Sequence, residues 1–173
     1  MIRNLIPTPY QLMALTKLKL SRLNGLLITD GVGVGKTISA GYIISHYSRT
    51  FDRPIYILSP MNLVDKWMLE LQNKFDLPST PVRNIQDLAI TVQESSYHNY
   101  RESPKIYVVS NTFLRREYEN LDLKPGLLVV DEIHNFRNKN THGFQNLRTI
   151  CENSIIKVGL TATPLHNSFD DII

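Results

Sequence analysis

The sequence predicts an α/β domain built as a doubly wound, mainly parallel sheet flanked by helices. Three observations carry that expectation. Short runs rich in Ile, Val and Leu recur along the chain, they show little apolar–polar alternation, and stretches with helical spacing lie between them. An alternating strand has one wet face, whereas an unbroken apolar strand is covered on both, as in a parallel sheet with helices on each side. Strands that alternate with helices complete the pattern. A length of 173 residues suits one domain with a sizeable core.

The elements follow in order. PYQLMALTKLKLSRL (9–23) has helical spacing, with Pro9 near the first turn, where its missing N–H costs nothing. GLLIT (25–29) is the first strand, TISAGYIISHYS (37–48) a helix, IYILS (55–59) a strand and NLVDKWMLELQNKF (62–75) a helix. Residues 76–104, with prolines early and a polar QESSYHNYRESP late, are the least regular, and one more strand and helix are expected there. KIYVVS (105–110), GLLVVD (126–131) and IIKVGLT (155–161) are strands, and FQNLRTICEN (144–153) is a helix between the last two. No repeat, low-complexity tract or interdomain linker divides the chain.

Composition bounds the setting. Apolar content of 42% and charged content of 20% are those of an ordinary soluble domain. No run approaches the ~20 apolar residues of a membrane span, and MIRNLIPTPYQ lacks the apolar core of a secretory signal. Cys151 is alone, so no internal disulfide forms and a reducing compartment, cytoplasm or nucleus, is expected. A net charge of +3 accommodates a nucleic-acid partner without requiring one. The histidines and the single cysteine form no recognisable zinc spacing.

Three motifs carry chemistry. ITDGVGVGKT (28–37) joins a strand to a helix, the setting of a phosphate cradle. Gly31, Gly33 and Gly35 let backbone N–H groups converge on phosphate oxygens, and the helix N-terminus favours negative charge. Lys36 would reach the β- and γ-phosphates of ATP, and the Thr37 hydroxyl would ligate Mg²⁺. The plainer reading is a glycine-rich turn before a helix. LLVVDEIH (127–134) ends a buried strand in two carboxylates. Asp131 suits Mg²⁺, directly or through water, and Glu132 suits the general base that aims the attacking water. A lone acidic pair at a strand end is usually just solvated. VGLTATPLHNS (158–168) runs into Thr161 and Thr163, whose hydroxyls could link the acidic motif to bound nucleic acid.

In this order the motifs resemble the first RecA-like lobe of superfamily-2 helicases and translocases, and in detail the Swi/Snf-type double-stranded DNA translocases. That group writes its loop D-E-x-G-x-G-K-T; here it reads DGVGVGKT, with Asp30 in place and Gly31 replacing the glutamate. TPYQ resembles the adenine-recognition motif, which implies that Gln11 pairs with the base edge. ILSPMNLVDKWMLEL and VVSNTF resemble DNA-contacting segments, which implies backbone contacts from Ser59, Lys66, Ser110 and Thr112. Serines and threonines after strands also cap helices, Lys66 also reads as a solvated helix residue, and Trp67 reads as core. DEIHNFRNKN is similar to D-E-x-H-x-x-K-N, with Arg137 for lysine and Asn138 retained, and LTATPLHNS to L-T-G-T-P-L-Q-N.

The resemblance implies a P-loop NTPase that couples ATP and Mg²⁺ to movement on DNA, with His134, Thr161 and Thr163 as couplers between the γ-phosphate and the DNA face. It also implies a second RecA-like lobe carrying arginine fingers, each worth roughly 10³–10⁵ in turnover. Residues 1–173 are therefore expected to be a single N-terminal lobe that binds nucleotide but hydrolyses it poorly alone. A nucleotide-binding scaffold without motor activity, or a lobe of a DNA- or RNA-unwinding helicase, are the other readings, and no membrane partner is implied.

Overall fold

A computed structural model describes residues 8–20, 24–29, 35–97, 105–115 and 123–162. Helix α1 (Pro9–Leu20) precedes strand β1 (Gly25–Ile28), helix α2 (Lys36–Tyr47) and strand β2 (Ile55–Ser59). Helix α3 (Val64–Glu70), strand β3 (Thr80–Val82) and helix α4 (Ile85–Tyr97) follow, then strand β4 (Ile106–Ser110). Strand β5 (Leu127–Val130), helix α5 (His142–Glu152) and strand β6 (Ile156–Leu160) complete the described chain. The strand and helix expected within 76–104 are therefore β3 and α4.

The six strands form one sheet in the order β1-β6-β5-β2-β4-β3, and every pairing is parallel. All five residues of β2 and of β4 and all four of β5 are buried, as their unbroken apolar runs require. The two-residue period of a strand divides their side chains between two cores. Ile55, Ile57, Ile106, Val108, Leu127 and Val129 pack with Leu18 of α1, Ile43 and Ile44 of α2, Trp67 of α3 and Leu71 just after it. Tyr56, Leu58, Tyr107, Val109, Leu128 and Val130 pack with Leu88 of α4 and Leu147, Ile150 and Cys151 of α5. Tyr56 and Tyr107, register partners, stack with ring centroids 5.2 Å apart.

Topology follows from handedness. The chain moves across the sheet from β1 to β2 to β3 with α2 and α3 on one face. It returns through β4, β5 and β6 with α4 and α5 on the other. Right-handed crossovers require that change of face when the direction reverses.

Local signals set the helix ends. Asn84 Oδ1 accepts from Asp87 N–H at 2.8 Å and its amide donates to Asp87 Oδ2 at 2.8 Å, which fixes the start of α4. Thr141 caps α5 by accepting from Phe144 N–H at 3.3 Å, while its hydroxyl donates to Asn138 O at 2.8 Å. Asn138 in turn accepts from Asn140 N–H at 3.0 Å, so this asparagine builds the turn that launches α5. The single helix expected over 62–75 is instead three pieces: a 3₁₀ turn at Met61–Leu63, α3, and a π turn at Leu71–Phe75 closed by left-handed Asp76. Periodicity alone cannot separate an α from a π turn, because one extra residue changes the ladder without changing composition.

The π turn ends with the Phe75 ring lying on Gly41 of α2, where a Cβ would come within 2.1 Å of a ring carbon. Tyr42 meets the same ring edge-on at 5.2 Å. Alanine in place of a mid-helix glycine gains about 1 kcal/mol of helix propensity, whereas overpacking costs about 1–3 kcal/mol. The near-covalent approach puts Gly41→Ala at the costly end, so it should lower the urea midpoint. Trimming the ring in Gly41→Ala/Phe75→Leu should restore most of the loss.

Candidate functional site

Because all six strands are parallel, their carboxyl ends share one edge, the place where open α/β sheets hold ligands. Along it lie, in spatial order, Thr29 after β1, Thr161 after β6, Asp131 after β5, Ser59 closing β2 and Ser110 closing β4. Asp131 N–H donates to Leu58 O at 2.8 Å and Thr161 N–H to Ile28 O at 3.1 Å, so each is tied by backbone to the adjacent strand.

Gly35 immediately precedes α2 in a left-handed conformation, φ +97°, which a Cβ-bearing residue rarely adopts. It makes no side-chain cap to the helix, and the first turn carries no acidic residue. The helix N-terminus thus keeps a positive partial charge that no carboxylate on that turn offsets, with Lys36 and Thr37 as its first two residues. Asp30, Gly31, Gly33 and Thr163 lie outside the described residues.

Gln11 serves the same corner. Its Oε1 accepts from Thr8 N–H at 3.1 Å, while Thr8 Oγ1 accepts from Gln11 N–H at 3.4 Å. This is a capping box for α1, a T-x-x-Q signal that was open to view in TPYQ. The amide nitrogen of Gln11 lies 3.3 Å from where a Cβ on Gly35 would stand, so the box sets the glutamine against the residue that precedes α2. A cleft of about 200 Å³ opens beside it, lined by residues that include Tyr10, Met13, Lys17, Leu26 and Thr29.

Asp131 is 9% exposed, and both carboxylate oxygens accept a protein donor: Oδ2 from Trp67 Nε1 at 2.9 Å and Oδ1 from Glu132 N–H at 3.0 Å. Burial is the largest influence on this carboxyl and raises its pKa above the ordinary value, with the neighbouring Glu132 pushing the same way. The two hydrogen bonds and the charge of Lys36 act against that rise, which sets Lys36 within electrostatic reach of Asp131.

Glu132 stands at φ 51°, ψ 47°, left-handed backbone that is uncommon outside glycine. From there its Oε2 lies 3.1 Å from His134 Nδ1, and the same nitrogen lies 3.1 Å from Thr161 Oγ1. An ionised carboxylate only accepts, so the hydrogen-bond network assigns the proton to Nδ1, shared between the two oxygens. His134, the acidic motif and the end of β6 are thereby joined in one contact.

The four residues expected to meet DNA divide in two. Lys66 and Thr112 are exposed. Ser59 and Ser110 are fully buried; Ser59 Oγ donates to Pro60 O at 3.4 Å, and Ser110 Oγ shares a hydrogen bond with Thr112 Oγ1 at 2.9 Å. Trp67, 2% exposed, is core as expected, but its bond to Asp131 was hidden by a separation of 64 positions. Among the described residues no group of three or more His, Cys, Asp or Glu is placed to hold a metal. Mg²⁺ does not need one, since it keeps several waters and takes one or two protein ligands beside substrate phosphates. No helix of the described residues is long and apolar enough to cross a membrane.

The raised pKa gives a signed pH effect. Asp131 binds its proton more tightly folded than unfolded, so its contribution to stability is largest in acid and is lost as pH rises above 3.8 through the folded value. The melting-temperature difference between Asp131→Asn and the parent chain should therefore shift in favour of the variant from about pH 4 to about pH 7. A difference that is flat across that window would contradict the assignment.

The geometry can be set beside known proteins. The family model of the SNF2-related domain matches residues 10–173. The chain is 31% identical over 171 residues to the uncharacterized ATP-dependent helicase YqhH of Bacillus subtilis, covering 96% of this chain and 28% of that protein. It is 25% identical over 182 residues to CHROMATIN REMODELING 19 of Arabidopsis thaliana, covering 95% and 24%. It is 29% identical over 171 residues to the RNA polymerase-associated protein RapA of Vibrio vulnificus, covering 90% and 17%. The chain thus spans less than a third of each relative. Among solved structures, the Sulfolobus solfataricus SWI2/SNF2 ATPase core in complex with double-stranded DNA shares the fold, with a TM-score of 0.70 at 20% identity, over 94% of this chain and 33% of that one. With a family match that begins at Tyr10 and runs to Ile173, and with a fold shared with a SWI2/SNF2 ATPase core, the chain belongs to the SNF2-related domain family.

Proposed function

We propose that this chain is the ATP-binding, N-terminal lobe of a DNA-dependent ATPase that couples Mg-ATP hydrolysis to movement along double-stranded DNA. The observation that carries the reading is the pairing, on one sheet edge, of a helix start held open by left-handed Gly35 with a buried, doubly hydrogen-bonded Asp131 under the influence of Lys36. An anion with its own divalent cation fits that pairing: the helix end and Lys36 accept negative charge, and Asp131 offers a carboxylate that the protein keeps from turning away. Family membership agrees, and the DNA in the Sulfolobus core favours a duplex as the track.

Within this reading Gly35 and the rest of the loop bind the triphosphate, Lys36 neutralises its β- and γ-oxygens, and Thr37 and Asp131 hold Mg²⁺. When bound, Mg²⁺ supplies neutralisation of the charge that develops on the transferred phosphoryl group. Glu132 leaves His134 to take a proton from the attacking water. His134 then registers that departure through Thr161, which links the nucleotide end of the edge to whatever grips DNA. Gln11 turns its amide from the capping box toward the adenine edge. Lys66 and Thr112 meet DNA phosphates, a contact that is weakly sequence-selective and sensitive to salt; Ser59 and Ser110 reach a phosphate only when the edge loosens. A second RecA-like lobe supplies the arginine fingers, so the 173 residues alone bind nucleotide and turn it over slowly.

Two variants test this. Lys36→Ala removes charge-assisted hydrogen bonds and should weaken Mg-ATP binding by roughly ten- to a hundredfold in calorimetry; unchanged affinity would refute the loop assignment. His134→Ala, in the full-length protein, should depress duplex-stimulated turnover by roughly 5–150-fold while ATP affinity changes far less. Equal loss of both would refute the coupling role. Comparing duplex, single-stranded DNA and RNA as stimulants separates a translocase from an unwinding helicase.

A further inference from the structure

The bond from Trp67 to Asp131 is not required by packing. Trp67 sits in the core beneath the sheet face that carries α1, α2 and α3, together with Val64 and Leu71. A phenylalanine could supply apolar area there without a polar atom. An indole brings a buried N–H that must find an acceptor or forfeit a hydrogen bond, and the acceptor it finds is Asp131 Oδ2 at 2.9 Å.

The consequence for the carboxylate is geometric. An ionised carboxylate has about four lone-pair sites. Trp67 N–H occupies one on Oδ2 and Glu132 N–H one on Oδ1, so neither oxygen can rotate away without breaking a bond. One site on each oxygen remains for a cation or a water. An indole is a donor only, so it supports the ionised carboxylate and cannot pair with the proton of a neutral one.

Trp67 also belongs to a helix with outside attachments. α3 begins soon after β2 ends, Lys66 beside Trp67 is exposed, and Asp65 on the same turn pairs with Arg83 just after β3. We infer that Trp67 is a positioning residue for the metal-binding carboxylate: with Glu132 N–H it clamps both Asp131 oxygens and ties the nucleotide site to α3. The inference rests on the reading of Asp131 as an Mg²⁺ ligand. A displacement of α3, such as DNA bound at Lys66 would produce, is then felt directly at Asp131.

The test uses the 173-residue chain and Trp67→Phe, which deletes the N–H and keeps an aromatic ring. Calorimetric titration with ATP, with and without Mg²⁺, should show the Mg²⁺-dependent gain in affinity reduced roughly tenfold in the variant, with Mg²⁺-free binding unchanged. A gain equal to that of the parent overturns the positioning role. So does an equal loss with and without Mg²⁺, which is what a purely structural tryptophan would give. Absence of any Mg²⁺-dependent binding in the parent chain overturns both this inference and the metal reading beneath it.

A second measurement stands if the variant fails to fold. Trp67 is the single tryptophan of the sequence, so emission excited at wavelengths too long for tyrosine to absorb reports it alone. Adding Mg²⁺ to the ATP-bound parent should change that emission, and the change should be missing in Asp131→Asn. Emission that ignores Mg²⁺ in the parent, or that responds equally in Asp131→Asn, overturns the inference.

Discussion

A parallel sheet buried on both faces leaves polar chemistry little room except where its strands end. β2, β4 and β5 each lie between two strands, and all their residues are buried. A charge placed there would carry a desolvation cost of several kcal/mol. Parallel pairing brings all the carboxyl ends together, so the start of α2, an acidic pair and a threonine separated by long stretches of sequence share one edge. Asp131 sits at the limit of what the arrangement tolerates. It is buried enough that desolvation raises its pKa, and it remains usable because two N–H groups and the charge of Lys36 oppose that rise.

The same edge stores strain. A left-handed residue other than glycine costs on the order of 1–3 kcal/mol and persists only when its surroundings over-determine it. At Glu132 they do: its N–H is held by Asp131 Oδ1, its carboxylate by His134, and the following turn is anchored by buried Ile133 and Phe136. Strain is thus concentrated on the carboxylate proposed to change partners during turnover. Gln11 is a milder case, since its side chain closes the α1 capping box and would have to give up part of that role to touch a base.

Legibility in the sequence tracked the range of the interaction. The unbroken apolar runs revealed the strands because burial on both faces leaves nothing to alternate, and the glycine–lysine–threonine and DEIH motifs marked the strand ends because their chemistry is local. The strand and helix of 76–104 were legible only as an expectation, since β3 has three residues and an interior proline. What stayed hidden was tertiary. Nothing near Trp67 announces Asp131, nothing near Phe75 announces Gly41, and the burial of Ser59 and Ser110 depends on strands on either side. The capping box of Gln11 was written plainly in TPYQ, but the same four letters also fit a base-recognition motif, and a single string does not rank two uses of one amide.

The sheet keeps two separate accounts of selection. Each described candidate residue lies on α1, α2 or α3, just before α2, or at or just beyond a strand end; α4 and α5 contribute none, although Leu88, Leu147, Ile150 and Cys151 belong to the second core. Drift on the outer surfaces of α4 and α5, or a segment grafted onto them, leaves the chemistry untouched so long as Leu88, Leu147, Ile150 and Cys151 stay inside. Cys151 is a natural marker of that layer: burial pushes its thiol up to about 12, and it is wholly enclosed. A cysteine introduced on the outer face would therefore be the only thiol of this sequence within reach of a reagent, and that face can be labelled or tethered while the carboxyl edge of the sheet keeps its native surface.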